Sequence, residues 1–293
     1  MMDLDRMTRR SVLAGLLSVG ACATTPPRAA ADTTLVNGRN GTIEVLSAGP
    51  VDALAVVMIP SLGRGAEDFQ RLAGAVAEAG MRALCPQPRG FGRSARYRDG
   101  VKLDDLADDV ADVIAALTPR RRAVVLGHAF GNRVARMCAA RRPDLVRAVI
   151  LLAAGGKVAM PPDIERSLLA SFDFSLPDTE RMAHVAKAFF APGNDPTVWR
   201  DGWRRDIAEA QINATRRTPV ESWWAAGQAP ILVVQPLQDV LAPPENTEIL
   251  KASAPGRVEV VGIDRAGHAL LPEQPDQVAA VVIAFAKRQA GQI

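Results

Sequence analysis

The sequence has few of the residues that bind metals. Its 293 residues include only three histidines and three cysteines, and these do not cluster, so we expect no protein-built metal site. The net charge is only +3 and no basic stripe with interleaved aromatic residues occurs, which argues against a nucleic-acid partner. No glycine pattern typical of phosphate or dinucleotide binding is present. We therefore expect no cofactor, a small-molecule ligand or substrate, and no protein partner.

No apolar stretch is long enough for a permanent membrane-spanning helix, but residues 1–31 have the features of an export segment and linker. Arg9 and Arg10 precede a short apolar run, Ser11 to Ala21, and together they resemble a twin-arginine signal. The run ends at Cys22 in a sequence that resembles a bacterial lipobox. We expect a periplasmic or cell-envelope protein, anchored to the membrane if Cys22 carries lipid. Ordinary cleavage and release as a soluble protein is the alternative.

From about Thr33, short apolar runs alternate with amphipathic stretches. This alternation is typical of a parallel sheet covered by helices, an α/β fold. The apolar runs predict strands at Thr42–Leu46, Ala53–Ile59, Met81–Cys85, Ala123–Leu126, Ala148–Leu152, Ile231–Val234 and Val258–Val261. A final helix is predicted from the core-facing spacing of Val278, Val281, Val282 and Phe285.

The alternation stops between Gly155 and about Gln228, where a helical, proline-punctuated segment intervenes. We predict a core formed by residues 32–156 and 229–293, with a helical insertion at 157–228. All four tryptophans lie in the insertion and are candidates for lining a substrate pocket: Trp199, Trp203, Trp223 and Trp224. The alternative is that they form the insertion's own core. An insertion this aromatic favours an apolar ligand over a sugar or nucleotide.

The stretch Gly127-His128-Ala129-Phe130-Gly131 follows a predicted strand and leads directly into a helix. A strand, a Gly-x-x-x-Gly turn and a helix are typical of a nucleophile elbow, in which the middle residue is presented above the strand ends. That middle residue is Ala129. The N–H of Phe130 is expected to point to where an oxyanion would form, and His128 is a further candidate for the pocket.

With this motif, the chain from Thr33 to the last helix resembles the α/β-hydrolase family. The resemblance implies a mostly parallel hydrolase sheet flanked by helices, with an inserted helical cap. It also implies that Asp239, after the Ile231–Val234 strand, is the triad acid. His268, before the final helix, then occupies the place of the triad base. The order nucleophile, acid, base is that of the family.

A departure from the family pattern occurs after the buried Ala53–Ile59 strand. The family usually has His-Gly there, whereas this chain has Pro60-Ser61-Leu62-Gly63. By position, the resemblance places the second oxyanion N–H on Leu62. It also brings the hydroxyl of Ser61 close to the expected site.

The alanine at position 129 decides which chemistry remains available. A methyl group cannot attack a carbonyl, so the acyl-enzyme route is closed at this position. Ala129 is either an engineered replacement of serine or the native residue. If it is native, His268 and Asp239 act as a base without a covalent intermediate, or the protein is a catalytically silent ligand-binding form. The expected substrate is a small, mostly apolar compound of the ester or amide type.

Overall fold

The computed structural model describes residues 32–119 and 121–291. The predicted export segment, including Arg9, Arg10 and Cys22, lies outside these described residues. Within them, no helix is both long enough and apolar enough to cross a membrane.

In the described part of the chain, eight strands form one sheet with the order β1-β2-β4-β3-β5-β6-β7-β8. Strand β2 pairs antiparallel with β1 and β4, and all the other pairs are parallel. The mostly parallel sheet predicted from the alternating pattern is therefore confirmed. The strands are β1 (Asp32–Gly38), β2 (Gly41–Ala48), β3 (Ala55–Ile59), β4 (Arg82–Pro86), β5 (Ala123–His128), β6 (Val146–Leu152), β7 (Ile231–Pro236) and β8 (Val258–Ile263).

Helices cover both faces of the sheet, because the central strands are apolar on both sides. Val56 and Met58 of β3 point into the core beside helices α1 (Gln70–Glu78) and α9 (Pro275–Ala290). Val57 points into the core on the opposite face, beside α2 (Leu103–Leu117) and α3 (Phe130–Arg141). This alternation is the two-residue period of a strand buried on both faces. The helices that cover the two faces are α1, α2, α3, α7 (Glu245–Ser253), α8 (Leu270–Glu273) and α9.

Between β6 and β7 the chain forms α4 (Pro162–Ala170), α5 (Asp178–Phe189) and α6 (Arg205–Arg216). These helices build a third, aromatic core that includes Phe172, Phe189, Trp199 and Trp203. This helical insertion is called the cap below.

The last part of the insertion returns the chain to the sheet. Strands β6 and β7 are parallel neighbours, so the chain must cross from the carboxyl edge of the sheet to its amino edge before β7 begins. Residues 219–230 make this crossing alongside α3, where a side chain at Gly227 would touch the backbone of Ala139 and Ala140. The carbonyl of Pro230 then accepts a hydrogen bond from the Val149 N–H at 2.9 Å. The end of the predicted insertion is thus a crossover connection.

Candidate active site

The turn between β5 and α3 holds Ala129 in a conformation that is rare for a residue with a side chain. Its φ is 49° and its ψ is −109°, and such backbone strain occurs where the surrounding structure imposes it. Both glycines of the motif are required. A Cβ on Gly127 would overlap the Gly131 carbonyl, and one on Gly131 would overlap the Ile59 carbonyl. The chain therefore folds the elbow predicted from its sequence.

A hydrogen-bond network inside α3 holds the carbonyl of Ala129. The Asn132 backbone N–H donates to this oxygen at 3.1 Å, and the Asn132 side-chain amide donates to it as well. The Asn132 Oδ1 accepts from the buried guanidinium of Arg136, which also donates to the Gly155 carbonyl at 2.7 Å. The network joins the elbow, α3 and the segment after β6 that contains Gly155, and it therefore holds the elbow in its strained form.

Asp239 and His268 lie together at the carboxyl edge of the sheet, at the places implied by the family resemblance. The His268 Nδ1 is 2.9 Å from one carboxylate oxygen of Asp239 and 3.1 Å from the other. The Asp239 Oδ1 also accepts the backbone N–H groups of Leu241 and Ala242, each at 2.9 Å. Since a carboxylate only accepts, the His268 Nδ1 carries the hydrogen. The His268 Nε2 therefore has a lone pair available to accept a proton.

His128 contacts His268 and is fully buried. Its Nε2–H donates to the backbone carbonyl of His268 at 2.8 Å, and the two ring centroids are 5.7 Å apart. Burial, with a smaller contribution from the neighbouring His268, lowers the pKa of His128 to about 3. His128 is therefore neutral at pH 7. The structure places it as a support for His268, and among the described residues its Nδ1 has no hydrogen-bond partner.

The segment after β3, Pro60–Gly63, is called the oxyanion loop below. Ile59 pairs in register with Gly127, so this loop and the elbow leave the sheet at the same edge. Ser61 is buried beside the elbow. The Phe130 N–H belongs to the first turn of α3, whose amides have no partner within the helix.

The cap holds the oxyanion loop through Gly63. The Gly63 N–H donates to the Gln211 side-chain oxygen at 2.7 Å, and the Gly63 carbonyl accepts from the Arg204 N–H at 2.9 Å. Gly63 has a φ of 62°, and a Cβ there would meet Phe172 and the Arg204 carbonyl. Leu62 packs against the aromatic core of the cap. The position of the predicted oxyanion donor on Leu62 therefore depends on α6.

Of the four tryptophans predicted to line the pocket, Trp199 and Trp203 form the roof of the site together with Phe189. The Phe189 ring centroid is 5.8 Å from that of His268, and the Trp199 centroid is 6.1 Å from that of His128. The Arg64 guanidinium lies 4.4 Å and 4.7 Å from the centroids of the two tryptophan rings. The walls near the histidines are thus mainly aromatic.

Trp223 and Trp224 have different surroundings. They lie on the crossover connection, where the Arg136 guanidinium is 4.6 Å from each ring centroid. Both are buried in the core on the α2 and α3 side of the sheet, and Gly156 leaves room for their rings. The structure therefore gives no support to the prediction that these two residues line the pocket. The physical reason is the topology, since the chain must pass here to begin β7.

The C-terminal end of α5 is joined to the loop that carries His268. The Glu273 carboxylate accepts the N–H groups of Gly267 and Ala191, each at 2.7 Å, and the side-chain amide of Asn194 at 2.6 Å. Burial raises the pKa of Glu273. In addition, the Ala269 N–H donates to the Phe189 carbonyl at 2.8 Å. The cap and the histidine loop are therefore hydrogen-bonded to each other, directly and through Glu273.

Four residues that shape the site are missing from the sequence prediction: Asn132, Arg136, Gln211 and Glu273. The first two have the i, i+4 spacing of neighbours on one helix face, which is a weak signal. The other two act on partners that only the tertiary structure identifies. Among the residues that the structure describes, no group of three or more His, Cys, Asp or Glu side chains is placed to hold a metal ion.

Comparison with known proteins shows which sequences and structures this chain resembles. Residues 56–281 match the profile of the Alpha/beta hydrolase family. RutD from Variovorax paradoxus (strain S110), a protein named as a carbamate hydrolase, is 29% identical over 215 residues. This alignment covers 67% of the present chain and 77% of RutD.

Two solved structures share the architecture. A thermophilic esterase from Thermogutta terrifontis superimposes with a TM-score of 0.72 at 20% identity, covering 88% of this chain and 99% of the esterase. The structure of E-2-(acetamidomethylene)succinate hydrolase gives a TM-score of 0.71 at 20% identity, with the same coverage of 88% and 99%. At this level of identity the structural likeness concerns the fold.

Proposed function

The chain belongs to the alpha/beta hydrolase family, and from that premise we propose that it acts on a small, mostly apolar ester or amide without a covalent acyl intermediate. The observation that carries this proposal is the contact between the His268 Nδ1 and Asp239 at 2.9 Å. In the neutral imidazole, this contact leaves Nε2 as the proton acceptor, in a site that has no nucleophilic side chain at position 129. A protein that only held its ligand would not need an oriented base.

In the proposed reaction, His268 Nε2 removes a proton from a water molecule, and the water oxygen attacks the carbonyl carbon of the substrate. The negative charge that develops on the carbonyl oxygen faces the N–H groups of Phe130 and Leu62. Collapse of the tetrahedral intermediate breaks the bond to the alcohol or amine. The leaving group receives the proton from His268, and the products are a carboxylic acid and an alcohol or amine.

The direct test compares the chain as it stands with His268→Ala and Asp239→Asn on p-nitrophenyl acetate. A positioned general base contributes typically 10²–10⁴-fold, so we expect His268→Ala to lower kcat/KM by about 100-fold. Asp239→Asn should also lower it, because the Nδ1 hydrogen loses its acceptor. Equal rates in all three proteins would reject catalysis by this pair and favour the ligand-binding form.

A second test restores the nucleophile. The unmodified chain should not react with a fluorophosphonate probe, because no activated hydroxyl is present. Ala129→Ser adds one oxygen at the residue that the elbow presents, so this variant should label covalently and gain esterase activity. The added change His268→Ala should remove both properties. Labelling of the unmodified chain would point to another hydroxyl, such as that of Ser61.

The ligand-binding alternative rests on a specific observation as well. Ala129 and His268 are 7% and 8% exposed, so the cap covers the site closely. If the chain with Ala129 is catalytically silent and Ala129→Ser stays inert, binding of an apolar ligand becomes the preferred function. Sequencing codon 129 of the native gene separates an engineered alanine from a natural one.

We also propose that the protein is exported and anchored through Cys22, on the motifs of the N-terminal segment. Labelled palmitate should be incorporated into the full chain in cells, and Cys22→Ser should abolish the labelling. Unchanged labelling in that variant would reject the site. Absence of labelling together with recovery of the protein in the periplasmic fraction would favour cleavage and soluble release.

A further inference from the structure

A cavity of about 50 Å³ lies beside the oxyanion loop, and the described residues that line it do not include Ala129 or His268. One buried water needs roughly 10–15 Å³ by the same measure, so a small organic group fits. Pro60 and Phe130 line the cavity, and both also belong to the site described above. Gln211, which accepts the Gly63 N–H, lines it as well. The cavity is thus separated from the oxyanion position by a single layer of residues.

Most of the cavity wall is apolar. It is formed by side chains from α2, from α3 and from the sheet edge at which β3 ends, including Ile43, Ile59, Leu106, Val110, Phe130 and Val134. Apolar walls with a few polar groups are the usual composition of small-molecule sites. The polar residues of the wall are Thr42, Gln87, Ser94, Tyr97, Gln211 and the pair formed by Arg89 and Asp109.

The charged members of the wall neutralise one another. Arg89 donates to both carboxylate oxygens of Asp109, at 2.7 Å and 2.8 Å. Burial raises the pKa of Asp109 to about 6, which leaves the carboxyl mostly ionised at pH 7. Burial also raises the pKa of Tyr97, so the phenol stays neutral. Among the described residues of the wall, no free counter-ion is available to a charged ligand, which would carry its full desolvation cost.

Tyr97 also connects the cavity to the protein surface. It lines a second depression, together with Gly90, Arg204 and Ile207, between the turn after β4 and the cap helix α6. The Arg204 guanidinium donates to the Gly90 carbonyl at 3.3 Å across this opening. Since Tyr97 lines both spaces, it stands between the surface opening and the inner cavity.

We propose that this cavity is a binding subsite for an uncharged, mostly apolar group, such as a short acyl chain, that enters past Tyr97. The proposal does not depend on the proposed reaction, because the described residues that line the cavity do not include Leu62, Ala129 or His268. Binding of the apolar group itself needs no catalytic step.

Tyr97 is the only tyrosine of the chain, which gives the cavity its own spectroscopic reporter. Protein with unchanged Ala129, labelled with 3-fluorotyrosine, has a single ¹⁹F resonance from tyrosine. At pH 7 we expect methyl propionate to shift this resonance in a saturable manner. Butyrate has the same number of non-hydrogen atoms but carries a charge, and it should cause no saturable shift. An equal response to both compounds would overturn the proposal.

Substitutions at Val134 test the location. Val134→Phe fills the cavity and should weaken methyl propionate binding at least 10-fold. Val282→Phe is the matched control, because Val282 is equally buried in α9 on the other face of the sheet. This control should retain the shift. An unchanged response in Val134→Phe would place the ligand elsewhere.

Val134→Ala covers the case in which Val134→Phe does not fold. It enlarges the cavity and should bind methyl pentanoate several-fold more tightly than the parent does, whereas equal or weaker binding would contradict the proposal. The readout is independent of turnover. Failure of Ala129→Ser to gain activity leaves a positive binding result intact, and loss of binding leaves the general-base proposal to its own test.

Discussion

The backbone carbonyl of His268 accepts a hydrogen bond from the His128 side chain, 140 positions earlier in the chain, at 2.8 Å. The elbow and the proposed base are therefore joined directly, through the residue that precedes Ala129. Because the carbonyl can only accept, His128 must carry its hydrogen on Nε2. The contact exists only while His128 is in this tautomer or doubly protonated, and its buried surroundings disfavour the charged form.

This burial predicts a pH dependence of stability. The folded-state pKa of His128 is lowered to about 3 from an ordinary value of 6.5. Between these values the unfolded chain binds a proton that the folded chain does not, so stability falls as the pH falls. His128→Gln should reduce the slope of unfolding free energy against pH by about 1.4 kcal/mol per unit in this window. Urea unfolding between pH 4 and pH 7 measures it.

The control for this experiment is the same pair of proteins at pH 8. Histidine is neutral there in both folded and unfolded chains, so any difference reports only the lost packing and hydrogen bond. Parallel pH profiles for the two proteins would show that folding does not lower the pKa of His128.

Glu273 joins the cap to the histidine loop, and its replacement should loosen both. Glu273→Gln leaves at least one of three N–H donors without a good acceptor, at a cost of about 1 kcal/mol because these groups are partly buried. Glu259→Gln is the matched control, since Glu259 pairs with Arg288 on the surface. Exposed pairs contribute about 0–1 kcal/mol. Urea unfolding and limited proteolysis of the cap measure the difference, and equal effects in both variants would contradict the role.

The strain at Ala129 predicts a stabilising glycine. Ala129→Gly should raise the free energy of unfolding by about 1 kcal/mol, because glycine adopts a positive φ without steric cost. Ala135→Gly, in the middle of α3, should instead lower it by about 1 kcal/mol or more. Thermal or urea unfolding of the two variants compares them. A loss of stability at both positions would mean that the elbow is not strained.

Replacing glycine by alanine should have opposite effects on stability at Gly131, in the elbow, and at Gly74, in α1. Gly131→Ala places a methyl group against the carbonyl of Ile59 and should cost about 3 kcal/mol or more. Gly74→Ala lies in α1 with nothing within 4 Å of the new methyl group. It should stabilise the protein by about 0.5–1 kcal/mol. If Gly131→Ala were as stable as the parent, the elbow would not be closely packed on β3.

Much of the sheet could be predicted because its central strands are apolar on both faces. The predicted Ala53–Ile59 and Ala148–Leu152 strands correspond to β3 (Ala55–Ile59) and β6 (Val146–Leu152). Strand β1 was not predicted, since an edge strand such as Asp32–Gly38 is mostly exposed and contains few apolar residues. Its pairing with β2 depends on a turn at Arg39-Asn40, which a hydrophobic pattern does not reveal.

The site was predictable where backbone geometry demands particular residues. Gly127 and Gly131 are required by close contacts, so the motif around Ala129 identifies the elbow. The positions of the tryptophans could not be predicted in the same way. Trp199 and Trp223 are equally buried, and only the path of the chain places the first above the site and the second in the crossover core.

The attachment of the cap on both sides of the site has a consequence for local unfolding. The Gly63 N–H donates to Gln211 of the cap, and the Ala269 N–H donates to the last residue of α5. Detachment of the cap exposes both amides in one event. They should therefore exchange with deuterium at similar opening free energies and with similar dependence on denaturant, as one cooperative unit. The cap, the oxyanion loop and the histidine loop then form a single foldon, although three separate stretches of the chain contribute to it.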